Sequence, residues 1–247
     1  MCEGGPAWDL ILYCRWFAPG PIAITVRGSV ERTLTGQSKV EGKPTMRRTV
    51  FLIILGGMVL ASCDGFTTSL QGNGNQVTET RTVSNFEAVS GDDGVRIVLD
   101  VDSTVTGDVD LEVTTDSNLQ EYLTTKVSGN RLSVSPDRAG GVTSTEGLNV
   151  SATVAAVTDV SVDNGAQAEI RGPVGDITLS ADNGARIAAE AAEAGSVDIN
   201  ADNGADITVC ATGEVTGEVT NGAQLTVLCG GVVSVETSDG GRVKSAP

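Results

Sequence analysis

Hydrophobic and polar residues alternate with a period of two along most of the second two-thirds of the chain. Single acidic residues separate Val109, Leu111 and Val113, and a serine separates Leu132 and Val134. A period of two with β-branched residues, interrupted by short turn segments, is the signature of β-strands. No stretch of about twelve residues has the periodicity of an amphipathic helix. The pattern therefore predicts an all-β fold.

The C-terminal part of this region is a repeat built around a short turn motif. Asp163-Asn164-Gly165-Ala166 recurs as Asp182–Ala185 and Asp202–Ala205, and more loosely as Thr220–Ala223 and Ser238–Gly241, at steps of 18 to 20 residues. Alternating stretches flank each motif, so one repeat supplies two short strands and two turns. The central turn residues are Asn164, Gly165, Asn183, Gly184, Asn203, Gly204, Asn221, Gly222, Asp239 and Gly240.

The recurrence of one turn chemistry predicts one backbone geometry in every repeat. Asn-Gly is favoured where the backbone takes positive φ. Repeats stacked about 4.8 Å apart would pair each strand with its copies above and below. A thin interior of Val, Ile, Leu and Ala suits a narrow solenoid or a flattened two-sheet stack. We therefore predict a β-solenoid-like stack of two-strand coils, with about 18–20 residues per coil, preceded by a more sandwich-like β half.

The N-terminal third contains the pattern of an export signal. Met46-Arg47-Arg48-Thr49 is basic and precedes eleven apolar or glycine residues. Such a run is too short to span about 30 Å of hydrocarbon as a helix, but it fits the hydrophobic region of a secretory signal. It ends in Leu60-Ala61-Ser62-Cys63, which resembles a bacterial lipobox. We predict a lipoprotein signal peptide at 46–62 and lipidation of Cys63; the alternative is a buried apolar strand with a chance cysteine.

The segments on either side of the signal peptide are interpreted from their position and composition. Since a signal peptide should begin the chain, residues 1–45 are interpreted as an unstructured upstream extension from a misplaced start codon, with a genuine cytoplasmic segment as the alternative. Residues 63–76 are polar and rich in glycine, which predicts a flexible tether. Residues 77–247 then form the β domain. Lipid chains on Cys63 would hold this domain at the bacterial cell envelope, exposed to the periplasm from the inner or the outer membrane.

The charge and the missing residue types exclude several function classes. Residues 63–247 carry 9 basic and 28 acidic groups, a formal charge of −19, which excludes nucleic acid as a partner. The chain has no histidine, which removes Ser-His and Cys-His catalytic pairs. Aromatic platforms for sugar rings are nearly absent after residue 63, where only Phe66, Phe86 and Tyr122 occur.

Cys210 and Cys229 are 19 residues apart, which is one repeat step. Neighbouring coils would place their Cα atoms about 5 Å apart, within the range of a disulfide. Export to an oxidising compartment favours the bond. We predict a Cys210–Cys229 disulfide, with two buried free thiols as the alternative.

Asp163, Asp182 and Asp202 form an acidic series, one residue in each of three repeats. Carboxylates stacked about 5 Å apart repel one another, and Ca²⁺ with oxygen ligands would relieve that repulsion. The alternative is that they satisfy backbone groups of the turns. The sequence lacks the Gly-Gly-x-Gly-x-Asp nonapeptide of calcium-binding β-rolls. We expect the turn role and no metal or other cofactor, with a Ca²⁺ site as the alternative.

Residues from about 72 to 245 resemble a bacterial family. The matching stretches are Gly72–Gly74, Arg81–Val83, Phe86–Val89, Gly94–Leu99, Asp116–Leu119, Val127 and Gly129–Val134, together with the Asn-Gly-Ala repeats. They resemble the proteins described as "putative auto-transporter adhesin, head GIN domain". The resemblance implies a two-part β-solenoid-like domain, found in lipoproteins or anchored envelope proteins, and it assigns no catalytic residues.

These observations together predict a lipid-anchored cell-envelope protein whose repetitive β domain is a non-catalytic binding, adhesion or structural module. The expected partners are the membrane, through the lipid anchor, and an unidentified protein or glycan. The alternative is a polysaccharide-active β-helix enzyme that depends on Ca²⁺ or on paired carboxylates. The basic residues that a lyase needs are scattered after residue 157, at Arg171, Arg186, Arg242 and Lys244. We therefore predict no catalytic residues.

Overall fold

A computed structural model of the chain describes residues 68–246. The upstream extension 1–45, the signal peptide 46–62 and the lipidation site Cys63 lie outside the described residues, and these predictions stay as they are. Within 68–246, no helix has the length and apolar character needed to cross a membrane.

The described residues form seventeen strands and one 3₁₀ turn, which confirms the prediction of an all-β fold. In chain order these are β1 (Leu70–Gln71), β2 (Gln76–Val83), β3 (Ala88–Gly91), β4 (Val95–Val101), β5 (Val109–Asp116), the 3₁₀ turn (Gln120–Tyr122), β6 (Leu123–Ser128), β7 (Arg131–Pro136), β8 (Val142–Thr143), β9 (Leu148–Val154), β10 (Asp159–Val162), β11 (Gln167–Ala181), β12 (Arg186–Ala201), β13 (Asp206–Ala211), β14 (Glu214–Val219), β15 (Gln224–Leu228), β16 (Val232–Thr237) and β17 (Arg242–Ser245).

Fifteen of these strands form one sheet that consists of two ribbons. The first ribbon runs in hydrogen-bonding order through β6, β7, β3, β10, the C-terminal parts of β11 and β12, β14 and β16. The second ribbon runs through β2, β5, β9, β4, the N-terminal parts of β11 and β12, β13, β15 and β17. The long strands β11 and β12 belong to both ribbons, so the sheet is nearly closed and barrel-like.

The strands of successive repeats pair in parallel with constant offsets. In the first ribbon, Asp159 pairs with Thr178, Thr178 with Asp198, Asp198 with Thr216, and Thr216 with Ser234. These offsets equal the 18 to 20 residues between turn motifs. Each repeat is therefore hydrogen-bonded to the next through both of its strands.

The core lies between the two ribbons and is made of small and medium-sized apolar side chains. Burial alternates along each strand; in β13, for example, Ile207, Val209 and Ala211 are buried and the residues between them are not. Side chains from both ribbons belong to one buried cluster. Within the repeats that cluster contains valine, alanine, isoleucine and leucine but no aromatic residue, which keeps the distance between the ribbons short.

The first half of the domain differs from the expected sandwich in how it joins the repeats. Its strands β2, β5 and β9 pair antiparallel, and so do β6 and β7. However, β3 pairs in parallel with β10, and β4 pairs in parallel with β11. Both ribbons of the repeats therefore continue into the first half, which is a mixed extension of the same sheet and not a separate sandwich.

The segment predicted as a flexible tether is partly fixed in place. Leu70 and Gln71 form β1 and pair in parallel with β8, and β2 already begins at Gln76. Between them, Asn73 and Gly74 donate backbone hydrogen bonds to Asn118 and Asp116. The tether prediction is thus wrong from residue 70 onward, because contacts with residues more than 40 positions away hold this polar segment. Residues 63–67 lie outside the described part.

Candidate functional site

The turns of the repeats lie in one column along an edge of the sheet. Their central residues have φ between 45° and 48°, and the glycines that follow have φ between 72° and 86°. Two consecutive positive φ values mark a type I′ turn, which Asn, Asp and Gly adopt at low cost. Each glycine amide donates to the main-chain carbonyl of the next turn at 3.1 to 3.2 Å. The residues with these angles are Asn164, Gly165, Asn183, Gly184, Asn203, Gly204, Asn221, Gly222, Asp239 and Gly240.

Side-chain hydrogen bonds connect the aspartate of one turn to the asparagine of the next. Asn183 Nδ2 donates to Asp163 Oδ1 at 2.8 Å, and Asn203 Nδ2 donates to Asp182 Oδ1 at 2.8 Å. In each turn the same carboxylate oxygen also accepts the backbone amide of the following asparagine. An amide therefore lies between successive carboxylates and offsets the repulsion that stacked charges would cause.

Asp202 is the last aspartate of this series and has the most side-chain donors. Thr220 Oγ1 donates to Asp202 Oδ1 at 2.7 Å, and Asn221 Nδ2 donates to the same oxygen at 2.6 Å. The Thr220 hydroxyl, and after it the Asn221 amide, lowers the pKa of Asp202. Hydrogen bonds to the charged form of a carboxyl group favour that form, so Asp202 is a carboxylate at neutral pH.

Asp92-Asp93-Gly94 is a further turn of the same kind, which sequence analysis missed. Asp93 has a φ of 53° and Gly94 one of 74°, and Asn164 Nδ2 donates to Asp92 Oδ1 at 2.9 Å. Burial raises the pKa of Asp93, and the charges of Asp92 and Asp163 raise it further. The signal in the sequence was Asp-Asp-Gly between two alternating stretches, but 72 residues separate Asp92 from Asn164 and hide the periodicity.

The outward side chains of the first ribbon form a polar surface beside the column of turns. They stand in two rows, because residues in parallel register point to the same side of a sheet. One row is Asp159, Thr178, Asp198, Thr216 and Ser234, and the other is Ser90, Ser161, Ser180, Asn200, Glu218 and Glu236. We call these two rows the polar face.

Two shallow grooves lie on this surface. The first has a volume of about 280 Å³ and is lined by hydroxyl, carboxyl and apolar groups of Thr158, Asp176, Ile177, Thr178, Ser196, Val197, Asp198, Glu214 and Thr216. The second connects the polar face to the turns and is lined by Ser161, Val162, Asp163, Ser180, Ala181, Asp182, Asn200 and Asp202. Both grooves offer many hydrogen-bond acceptors to a molecule that lies along the stack of strands.

A model of the family "Putative auto-transporter adhesin, head GIN domain" matches residues 142–231. The chain carries a head GIN domain. The matched residues include all four Asn-Gly turns and the strands from β8 to β15. The family resemblance predicted from the sequence is therefore confirmed over this stretch.

Among solved structures, two bacterial proteins illustrate what the GIN chain is similar to. One is described as a putative lipid binding protein from Parabacteroides distasonis ATCC 8503, with 14% identity and a TM-score of 0.41; the match covers 73% of this chain and 100% of that one. The other is a putative adhesin from Bacteroides fragilis NCTC 9343, with 14% identity and a TM-score of 0.49, covering 72% of this chain and 100% of that one. No curated protein matches the sequence.

Charge is distributed unevenly between the two ribbons of the GIN domain. From β10 to β16 the strands of the first ribbon contain acidic residues and no basic residue. The second ribbon has Arg96 paired with Glu169 at 2.8 Å and Arg186 near Asp206 at 3.9 Å. The polar face is thus the strongly acidic side of the repeats.

A disulfide joins Cys210, on β13, to Cys229, just after β15, with the Cα atoms 5.2 Å apart. The predicted bond is confirmed. Since β13 and β15 are neighbours in the second ribbon, the bond ties two successive repeats together. It lies on the ribbon that does not carry the polar face.

Asp116 is a buried carboxylate that sequence analysis missed, and it is only 1% exposed. It accepts hydrogen bonds from Ser144 Oγ, from the amide and hydroxyl of Thr145, and from the Gly74 amide, at 2.6 to 3.0 Å. The Ser144 hydroxyl, followed by the Thr145 amide, lowers the pKa of Asp116 to about 2. Asp116 therefore fastens the N-terminal segment to the domain, and no periodic pattern marks it.

The acidic residues of the domain do not gather into a metal-binding group. Among residues 68–246, no three His, Cys, Asp or Glu side chains lie close enough together to hold a metal ion. The Ca²⁺ candidates Asp163, Asp182 and Asp202 each direct one oxygen to amide donors of their own and the next turn. The arrangement can accept hydrogen bonds and attract positive charge.

Proposed function

We propose that the protein is a lipid-anchored binding module of the bacterial cell envelope, and that its polar face holds an extended partner. One observation carries the proposal: hydroxyl, amide and carboxylate groups recur in the same two rows at every repeat. Parallel register spaces such groups about 4.8 Å apart. A regular row of this kind suits a partner that is itself extended, such as a polypeptide strand or a glycan chain.

The repeats are proposed to form a β-solenoid, in which each turn of the chain lies on the one before. The constant offsets of 18 to 20 residues in both ribbons support this architecture. The column of hydrogen-bonded turns supports it as well. A solenoid would keep the polar face straight over several repeats, which is the property that an extended ligand requires.

The charge of the polar face restricts the class of partner. Its acidic residues and the absence of basic residues from β10 to β16 favour a partner that brings positive charge or hydrogen-bond donors. The family match to an adhesin-type domain supports binding as the activity. The ladder carboxylates are engaged with turn amides, which supports a structural role for them rather than a catalytic one.

A photo-crosslinking amino acid in place of Ser180 tests this function in intact cells. Ser180 lies on the polar face, and Ala188 is a matched control because it is half-buried in the same way on the second ribbon. We expect the Ser180 position to give a discrete high-mass adduct and the Ala188 position to give none. Equal adducts from both positions, or none from either, would contradict the proposal.

The lipid anchor is proposed from Leu60-Ala61-Ser62-Cys63 and is tested separately. We expect the protein extracted from membranes to begin at Cys63 and to carry the mass of two or three fatty acyl chains. The variant Cys63→Ser should remain unprocessed and lack that mass. An intact mass that matches residues 1–247 without lipid would overturn the anchor while leaving the polar face untouched.

A further inference from the structure

The last two strands of the stack have open edges. β16 pairs with β14, and β17 pairs with β15, and no other strand of residues 68–246 pairs with either. Each strand therefore presents one row of unpaired backbone amides and carbonyls at the end of its ribbon. Unpaired rows of this kind are templates for the addition of a further strand.

The backbone hydrogen bonds already made identify which groups are free. On β16 the amide of Val232 donates towards β14, and on β17 the amide of Arg242 donates towards β15. Since successive residues of a strand point their amides to alternate sides, Val233, Val235 and Val243 direct theirs to the open edges. These three valines are also partly buried against the core, so a new strand there would extend both the hydrogen bonding and the core.

The same end of the molecule carries exposed apolar surface. Val232 is 67% exposed and is the exposed large hydrophobic residue of the described chain. The three partly buried valines named above lie beside it on β16 and β17. Contiguous exposed apolar surface at an open strand edge marks a place where another chain adds.

The charge at this end differs from that of the rest of the domain. The segment from β16 to β17 contains Glu236 and Asp239 against Arg242 and Lys244, so its formal charge is zero. Residues 63–247 as a whole carry −19. A second copy of the chain would be repelled by most of this acidic surface, but not by this end.

We propose that two copies of the chain associate end to end, with β16 of each copy pairing antiparallel with β17 of the other. The turn between β16 and β17 reverses the chain, with the Gly241 amide donating to the Ser238 carbonyl at 2.8 Å. A two-fold axis between the ribbons therefore creates two identical β16–β17 contacts. Such an isologous contact closes on itself and gives a dimer, not a fibre.

The alternation of side chains fixes the register of this contact. If Val243 lies opposite Val235 of the second copy, both side chains face the extended core and both residues offer free backbone groups. Arg242 then lies opposite Glu236 of the second copy, on the outer side. Opposite charges directly across a strand pair stabilise it.

The other two-fold arrangement pairs each strand with its own copy. In that case a β17–β17 contact centred on Val243 places Arg242 opposite Lys244 of the second copy. Like charges directly opposite one another destabilise a strand pair. The charges of β17 therefore select the β16–β17 contact.

Cysteine cross-linking tests both the contact and its register. Full-length Glu236→Cys and Arg242→Cys chains, each in a Cys2→Ser, Cys14→Ser background and with different tags, are expressed together and oxidised in membranes. We expect a covalent dimer that contains both tags, because the two positions lie directly opposite each other. Either variant expressed alone should give no covalent dimer.

An interior pair provides the matched control. Arg186→Cys with Glu218→Cys uses the same two ribbons, at strands that are already paired on both sides. These variants should give no dimer. The absence of the mixed dimer, or an equal yield from Arg242→Cys alone, would overturn the proposed contact.

Charge reversal gives an independent readout. Glu236→Arg should weaken the dimer about tenfold, since both symmetric contacts then oppose like charges, and Glu236→Arg with Arg242→Glu should restore it. The dissociation constant of the purified full chain, measured by sedimentation equilibrium, reports the effect. A dimer that is insensitive to the single reversal, or is not restored by the double one, would also overturn the contact. Binding at the polar face does not enter this measurement.

Discussion

At the scale of single residues, the turns and the buried carboxylate solve the same problem in different ways. The domain has a large excess of acidic groups, and each carboxylate needs donors. Asp163 and Asp182 receive amide donors from the next repeat, so their environment is itself repeated. Asp116 receives hydroxyl and amide donors from two distant segments. The repeated solution follows from the sequence, and the second depends on tertiary structure.

Asn203 contributes to stability both through its φ of 46° and through its amide, which donates to Asp182. Asn203→Gly keeps the backbone conformation and loses the amide, so we expect a loss of about 1 kcal/mol in the free energy of unfolding. Asn203→Ala loses both and should cost about 1–2 kcal/mol more, because alanine is strained at positive φ. Urea unfolding measures the difference. Equal losses in the two variants would contradict the role of the backbone conformation.

Asp116 predicts a pH dependence with a definite sign. Its pKa of about 2 is below the ordinary value for an aspartate, so the folded state prefers the carboxylate. The resulting stabilisation is complete above the unfolded pKa of roughly 4 and is lost as the pH falls towards 2. Thermal unfolding of the wild type and of Asp116→Asn between pH 7 and pH 2 measures it. The difference in Tm should be largest at pH 7 and should shrink below about pH 4.

A difference between the two proteins that stays constant over this range would show that the lost hydrogen bonds, and not the charge, hold the N-terminal segment. Ser144→Ala is the matched control, since it removes the first donor but leaves the titrating group in place. It should destabilise the protein less than Asp116→Asn at neutral pH.

At the scale of elements, each strand is bonded to its neighbours in the stack and depends little on more distant ones. Backbone hydrogen bonds run from one repeat to the next in both ribbons. The strands nearest the open end, β15, β16 and β17, have fewer partners than those in the middle. Stability should therefore fall towards the C-terminal end, and the disulfide lies near this end.

The Cys210–Cys229 bond should stabilise the domain through the 19-residue separation that it closes. Loop-closure entropy of this size corresponds to about 3 kcal/mol. We expect Cys210→Ala with Cys229→Ala to lower the free energy of unfolding by about that amount, and to increase amide hydrogen exchange in β15 and β17 before β10 and β11. A reducing agent should have the same effect on the wild type and none on the double variant. Uniform loss of protection in all strands would contradict the local action of the bond.

At the scale of the whole molecule, the formal charge of −19 on residues 63–247 dominates. Exposed carboxylates repel one another over distances of about a Debye length, which is about 8 Å at physiological ionic strength. The ion pairs of the second ribbon are exposed and offset little of this repulsion. The folded state should therefore gain stability when salt screens the charges.

We expect Tm to rise by a few degrees between about 20 mM and 500 mM NaCl. CaCl₂ and MgCl₂ at equal ionic strength should raise Tm equally, because general screening does not distinguish the two ions. Differential scanning calorimetry measures both effects. A larger rise with CaCl₂ that is abolished in Asp182→Asn would instead support the alternative of a Ca²⁺ site.

The sequence by itself determined the features that recur. The asparagine–glycine motifs established the repeat length, the position of the turns and the all-β class, and the one-step spacing of Cys210 and Cys229 indicated the disulfide. These predictions are local or periodic, because each repeat has the same turn chemistry and the same alternation as the next. Stacking then follows from the need of each repeat to bury its apolar side.

Only the tertiary structure decided the features that join distant residues once. Asp92 meets Asn164 across 72 positions, and Asp116 holds Gly74 and Ser144 across 42 and 28 positions. A single contact of this kind leaves no period in the sequence, so composition alone read the segment after Cys63 as a tether. The continuation of both ribbons into the first half was hidden for the same reason: parallel pairing places no constraint on the number of residues between two strands.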